Sequence, residues 1–442
     1  MCVFLPVYRL TLRIYAFIIL LMHVYSEYSR AVVPYPIALV MKESRCMKKV
    51  ADLPMQRDVF VRSQFTWLAY LLLGYYAYMQ ASVGPLMAFL RTELHLNYTI
   101  EGLHFSAFAF GAILVGVSGD YVTRLLGRRI VFWGGGAAMA VGAIALLLGH
   151  QPIWTLSSIV LMGYAGNLLL MTIQAALSDL HSQQRSVALL EANVIASIGA
   201  SLAPLSISLL QGAGPGWRSA LALMVCVFLL MFVLAWRISI PAGRPSEPQK
   251  GSVTAALPAS FWAYWIVVVL GVAIEWCMIY WGADFLVQEG GLSKASAAGL
   301  LTIFFVAAIS GRLVGSRLAR VIQASRLVLW SILVATGGFL LFWLVPVLSI
   351  RLLGLLVAGL GIANLYPLAV SLTLGTVPQY ADSASARVAL GSGIAAVIVP
   401  FVLGAFADRV GLWSAYSIVA VLLLCIIVVI VMANRLTSHV FA

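Results

Sequence analysis

Charge is what this sequence has least of. Charged residues make up 10% of its 442, against roughly a quarter in a soluble domain. Mean hydropathy is +1.02, so water is excluded as the main solvent and the chain reads as an integral membrane protein. The five cysteines, Cys2, Cys46, Cys226, Cys277 and Cys425, have neither CxxC nor metal-ligand spacing, and three lie in apolar runs as packing residues. No HExxH, GxSxG or Walker-type loop is present. "GLGIAN" (359–364) follows no strand and lies in an apolar helix. An intramembrane enzyme is therefore disfavoured, and neither metal nor cofactor is expected. A receptor or scaffold would want a sizeable soluble domain, and none stands out.

The charge that is present is mostly positive: +12 net, with a pI near 9.7. Lys and Arg fall in short clusters between apolar runs, without the basic face or interleaved aromatics of a nucleic-acid binder. Positive loops on the cytoplasmic side explain them better.

A bilayer core of ~30 Å needs about 20 apolar residues per helix. Runs of that length cover 66–90, 101–119, 130–149, 153–176, 187–211 and 217–237, then 259–287, 295–316, 327–346, 352–374, 387–407 and 412–433. With both chain ends in the cytoplasm, the outer breaks hold only Arg91, Arg218, Lys294, Arg351 and Arg409. Arg124, Arg128, Arg185, Arg312 and most other arginines fall inside, as the positive-inside bias requires. The expectation is twelve transmembrane helices. A bundle over 61–238 and another over 259–442 are joined by a Pro/Gly/Ser-rich cytoplasmic linker at 239–258. Residues 1–60 form an extension with one apolar run too short to span readily. It reads as a surface segment, or as sequence ahead of a true start at Met55.

The halves resemble each other. Pro204 to Trp217 has the same spacing as Pro400 to Trp413, and the same offset maps Gly119 onto Gly315 and Arg124 onto Arg320, with Asn167 within one residue of Asn364. Six helices per half give both copies the same orientation, so they are parallel repeats. "GVSGDYVTRLLGRR" (116–129), between helices two and three, then resembles the loop motif of the major facilitator superfamily of transporters. Gly116, Asp120, Gly127, Arg128 and Arg129 match it in kind. Ser118 and Gly119 replace the usual Leu-Ala, and the second glycine comes three residues late. "GRLVGSRLAR" (311–320) is a weaker second copy. The resemblance covers 60–435 and implies two bundles rocking about a central site.

The loop charges have their own physics. Asp120 and Arg124 are four apart and could pair on a continued helix, and Asp120 could face a helix N-terminus in the other half. Gly116, Asp120, Arg124 and Arg128 are thus gating candidates, or simply end the helix and set topology. Glu191 with Arg185 is a second candidate gate, or a plain surface pair.

By the same resemblance, helices one, four, seven and ten border the cavity. Their polar residues include Tyr76 and Gln80, then Asn167 and Gln174, then Glu275, Trp276 and Tyr280, and finally Asn364 and Tyr366. Glu275 is the most telling, because a carboxylate at mid-bilayer costs at least ~2.5–3.5 kcal/mol on insertion scales. It should face the interior, where an acid can bind a proton and release it as the cavity opens to either side. No Lys or Arg is expected at its depth, so a permanent ion pair is not anticipated. Structural readings stand beside these. Glu275 could hydrogen-bond another helix in its protonated form, the asparagines could be interhelical glue, and the aromatics could be packing. Asp284, nearer the outer end, is expected to be wet.

Helix four lacks the arginine of many proton-coupled members. Helix five, with Gly199 and Pro204, lacks the Gly-Pro-x-x-Gly-Gly run of drug–proton antiporters, and the signature strings of classical sugar porters are also missing. The expectation is a monomeric plasma-membrane secondary transporter, not an enzyme, driven by protons through Glu275. Its substrate would be a small polar organic solute, a sugar or organic anion taken up by symport, similar to fucose-permease-like members. Efflux of amphipathic drugs or cations is the alternative, and uniport a further one.

Overall fold

The computed structural model describes residues 61–181, 184–241, 257–319, 321–377 and 381–438. The extension at 1–60, Arg320 and most of the 239–258 linker lie outside them. Fourteen helices, and no strand, make up the described residues: α1 Gln64–Glu93, α2 Tyr98–Leu126, α3 Arg128–Leu148, α4 Pro152–Leu180, α5 Arg185–Ala213, α6 Arg218–Ala235, α7 Ala259–Gln288, α8 Lys294–Leu318, α9 Ala324–Leu344, α10 Leu348–Ile362, α11 Leu365–Gly375, α12 Ala381–Val410, α13 Leu412–Ala415 and α14 Ser417–Ser438. Helices are what a lipid solvent demands, since each backbone N–H and C=O must be satisfied within its own segment. Large apolar side chains such as Leu148, Leu234, Trp330 and Leu424 are exposed around the periphery, as suits a lipid-facing surface.

Among the described residues, eleven spans are long and apolar enough to cross a membrane by length and composition, with α10 and α11 counted as one. The remaining expected span is α1, whose Tyr70, Tyr75, Tyr76, Tyr78 and Gln80 dilute its apolar run. Its 30 residues still make a rod of ~45 Å.

The predicted span 352–374 is broken. Pro367 has no N–H to offer the carbonyl of Ala363 four residues back, and the helix interrupts at Ala363–Asn364. The freed Ala363 carbonyl accepts instead from Arg312 Nε of α8, at 3.4 Å.

In the first half α1 packs on α5, α2 and α3 on α4, and α3 on α6. In the second, α7 packs on α12 and α14, while α8 and α9 pack on α10. The halves meet along α2–α12, α5–α8 and α1–α7. The meeting is close enough to need glycine in places. A Cβ on Gly84 would lie 2.6 Å from the Ile279 carbonyl oxygen, and one on Gly102 3.0 Å from Phe401 Cα. Helix α7 is deeply enclosed, with Val267, Ile274, Cys277, Tyr280 and Trp281 all buried. That placement puts Glu275 inside the bundle, away from lipid.

The seam is tight where α1 turns into α2. Tyr98 and Thr99 donate their backbone N–H groups to the Asp408 carboxylate, each at 2.8 Å. Gln288 bonds the Tyr98 hydroxyl, and Lys294 bonds Thr92 at 2.5 Å. Further along, Ser106 donates to the Val397 carbonyl and Gly299 sits against Ser208. Toward the other end the halves part. Val117, Val314 and Leu390 are exposed, and α5 and α8 separate around a cavity.

Candidate functional site

The cavity has a volume of about 600 Å³, within the ~300–1,000 Å³ usual for small-molecule sites. Its wall is built by α1, α5, α7, α8 and the start of α11. The polar lining is Gln80 from α1, Asn193 and Ser197 from α5, Glu275 from α7, Arg312 from α8 and Tyr366 from α11. Trp276, Ile279, Phe304, Phe305 and Leu190 supply most of the apolar remainder.

At the centre of this wall is an ion pair. Arg312 Nη2 lies 3.2 Å from Glu275 Oε1, with the arginine side chain 46% exposed and the glutamate 18%. This overturns the expectation that no cation reaches the depth of Glu275. Reading charge from span ends had put Arg312 at the cytoplasmic surface. It lies six residues inside the last residue of α8, and its side chain is drawn inward at both ends of the guanidinium. Nε goes to the carbonyl freed by Pro367 and Nη2 to Glu275. The helix break thus fixes the cation that faces the acid.

Of the residues singled out in the sequence, Gln80, Glu275, Trp276 and Tyr366 line the cavity. The others lie outside its lining. Tyr76 is buried and donates to Asn167 Oδ1 at 3.2 Å, while Asn167 donates to the Gly163 carbonyl at 2.7 Å. That α1–α4 link turns both side chains away from the cavity, and α4 contributes nothing to its wall. Gln174 is exposed further along α4. Tyr280 is 1% exposed. Its ring is sandwiched between Trp276, with centroids 4.8 Å apart, and Phe105 of α2, 4.5 Å away and parallel within 1°. It therefore packs behind Trp276, outside the cavity lining. Asn364 is buried and donates to the carbonyls of Gly311 and Leu360 at 3.0 and 3.2 Å, binding α8 to the end of α10. Asn193, Ser197 and Arg312 were missed as cavity residues, because α5 and α8 were not counted among the cavity helices.

The loop motif reads differently again. Arg128 pairs with Asp179 at the end of α4, 2.7 Å away, and donates to the Pro241 carbonyl at 3.2 Å. It binds the first half to itself and not to the second. Asp120 and Arg124 are exposed and make no ion pair with each other, correcting their anticipated pairing in this conformation. A Cβ on Gly116 would meet nothing within 4 Å. Glu191 accepts from the Tyr70 hydroxyl at 3.1 Å, and the side chain of Arg185 lies outside the described residues. Asp284, expected to be wet, is 2% exposed, because α1 and α2 fold over it. No group of His, Cys, Asp and Glu suited to a metal ion occurs among the described residues.

Residues 66–381 match the profile of the Major Facilitator Superfamily. An uncharacterised MFS-type transporter of Yersinia pestis is 24% identical over 351 residues, 78% of this chain and 90% of that one. Among solved structures, a bacterial homologue of the human lysosomal transporter Spinster, inward-facing and occupied, superposes with a TM-score of 0.69. It is 16% identical, over 83% of this chain and 96% of that one. The nucleoside transporter NupG gives a TM-score of 0.71 at 13% identity, covering 84% of this chain and all of the other.

Proposed function

The chain belongs to the major facilitator superfamily of membrane transporters, and from that premise we propose that it is a proton-coupled symporter of a small organic anion. The observation that carries the reading is the Glu275–Arg312 pair, 3.2 Å apart and half open to the cavity. A guanidinium is a preferred partner for carboxylate or phosphate, and here its partner is an acid that protonation neutralises. While Glu275 is charged it competes with the solute for Arg312. Once it is protonated, the guanidinium is free for the anion. Proton and anion therefore bind together, and each leaves more readily when the other has gone. That mutual dependence is coupling, and it is reciprocal by linkage.

Gln80, Asn193, Ser197 and Tyr366 supply hydrogen bonds to the rest of the solute, and Trp276, stiffened by Tyr280, gives an aromatic face. The same helix pairings in both halves, α1–α5 with α7–α12 and α3–α4 with α9–α10, support two repeats that rock about this cavity by alternating access. If both chain ends are cytoplasmic, as the distribution of arginine suggests, the tight end of the seam is the outer one and this conformation faces inward. Uptake across the plasma membrane follows as the working direction. The apolar part of the lining favours a second reading, export of an amphipathic cation held by Glu275.

The purified protein and its Glu275→Gln variant, screened for thermal stabilisation by organic anions, neutral sugars and lipophilic cations at two pH values, separate the readings. A bound ligand in hundredfold excess over Kd stabilises by ~2.7 kcal/mol. Stabilisation by an anion, stronger at low pH in wild type and independent of pH in the variant, is the expected result. Stabilisation by lipophilic cations alone, lost in the variant, would replace symport with export.

A further inference from the structure

A second set of ionisable groups lies outside the cavity lining, inside the tight end of the seam. Arg91 of α1 holds its Nε 3.1 Å from Glu101 Oε2 of α2 and 3.3 Å from Asp284 Oδ2 of α7. Both acids are buried, at 0% and 2% exposure. Nε carries one hydrogen, and it points it at neither carboxylate in hydrogen-bonding geometry. Among the described residues, none of the four carboxylate oxygens finds a hydrogen-bond donor.

The surroundings do not make up the difference. Tyr98 of α2 places its ring 4.6 Å beneath the Arg91 guanidinium. Asp408 of α12 is taken up by the first backbone N–H groups of α2. Lys294 of α8 is bound to Thr92 and makes no ion pair with the acids. Glu93 of α1 is paired with Arg218 at 2.7 Å, and Arg351 of α10 lies over the Phe285 ring. Cys277 of α7 and Tyr416, which precedes α14, are buried, and the Tyr416 hydroxyl bonds to neither acid. Two buried carboxylates thus face one cation, an excess negative charge that a low-dielectric site does not tolerate.

We propose that the Glu101–Asp284 pair binds one proton between its carboxyl groups, and that this proton latches the tight end of the seam. The shared proton supplies the missing donor, leaves one charge for Arg91, and joins α2 to α7 across the halves. Parting the seam hydrates both acids and releases the proton. The closed seam therefore holds one proton more than the parted one, and acid favours closure. This site is separate from Glu275, and it needs no solute to act.

The test uses the full chain in nanodiscs without solute. Nitroxide labels are placed at His150→Cys and Val347→Cys, in exposed loops at the tight end, with the native cysteines replaced. Distances between the labels are measured from about pH 5 to 8.5. In the otherwise wild-type protein the short-distance population should grow on acidification. The ratio of short to long should change by up to about tenfold per pH unit, the limit for one proton. Glu101→Gln and Asp284→Asn each remove the excess charge without changing shape, and each should stay short across the range. Glu275→Gln should titrate like wild type. Distances that ignore pH in wild type, a titration that survives in both seam variants, or one abolished by Glu275→Gln would each overturn the proposal. Because no solute is present, failure of the anion reading leaves these outcomes unaffected.

Discussion

Replacing Glu275 with glutamine isolates the competition at the heart of the cavity. The substitution keeps the shape and a hydrogen-bonding oxygen for Arg312 but removes the charge. A charge-assisted hydrogen bond is worth ~1.5–3 kcal/mol when well enclosed. Arg312 is 46% exposed, so solvent screening reduces that to ~1–2 kcal/mol. An anion that must displace Glu275 from Arg312 meets that penalty, whereas in the variant it does not. At ~1.4 kcal/mol per tenfold, the variant should bind the anion about 5- to 30-fold more tightly than wild type at a pH where Glu275 is charged. At acid pH the two should converge, because wild type has then neutralised its own competitor. Isothermal titration of the purified proteins at two pH values reads both arms. In vesicles, the variant should still exchange labelled for unlabelled anion while failing to accumulate it against a gradient. Unchanged affinity at high pH, or a variant whose affinity keeps the wild-type pH dependence, would refute the competition.

Other expectations concern how the site is held. Arg312→Ala leaves Glu275 and the Ala363 carbonyl without their partner. It should lower stability in detergent by ~2–4 kcal/mol, with part of the loss recovered in Arg312→Ala/Glu275→Gln; thermal melts of the three variants check this. Pro367→Ala returns an N–H to the Ala363 carbonyl, so α10 and α11 should join and Arg312 lose its Nε anchor. Turnover should fall several-fold with expression intact, as initial-rate uptake would reveal. Gly84→Val introduces a side chain where even a Cβ lies 2.6 Å from the Ile279 carbonyl oxygen. It should force α1 from α7 and shift loop-label distances at the tight end outward, whereas the same change at Gly116, where nothing lies within 4 Å, should not.

The membrane fold and the family were open to reading because lipid leaves few choices. Long apolar runs must be helices, and short polar breaks must be their ends. Glu275 was legible for the same reason, since a lone acid in such a run must find the interior. What the sequence could not convey was where long side chains end up. Arg312 lies near a helix end, so its charge looked superficial. Only the carbonyl released by Pro367, on another helix, brings it to Glu275. Asp284 looked wet from its position along α7, yet its burial is decided by α1 and α2, far away in the chain. The asparagines show the converse. Asn167 and Asn364 sit in spans expected to line the cavity, but each instead ties neighbouring helices together. Asn193 and Ser197 escaped notice because which helices part around the cavity is a property of the conformation.

The central claim is that a proton and an organic anion move together through the Glu275–Arg312 pair. It is tested most directly in proteoliposomes containing a pH-sensitive dye, to which an anion that stabilises the protein is added outside. Wild type should acidify the lumen as the anion enters, and Glu275→Gln should not. Anion entry without acidification, or alkalinisation of the lumen as a lipophilic cation enters, would contradict it.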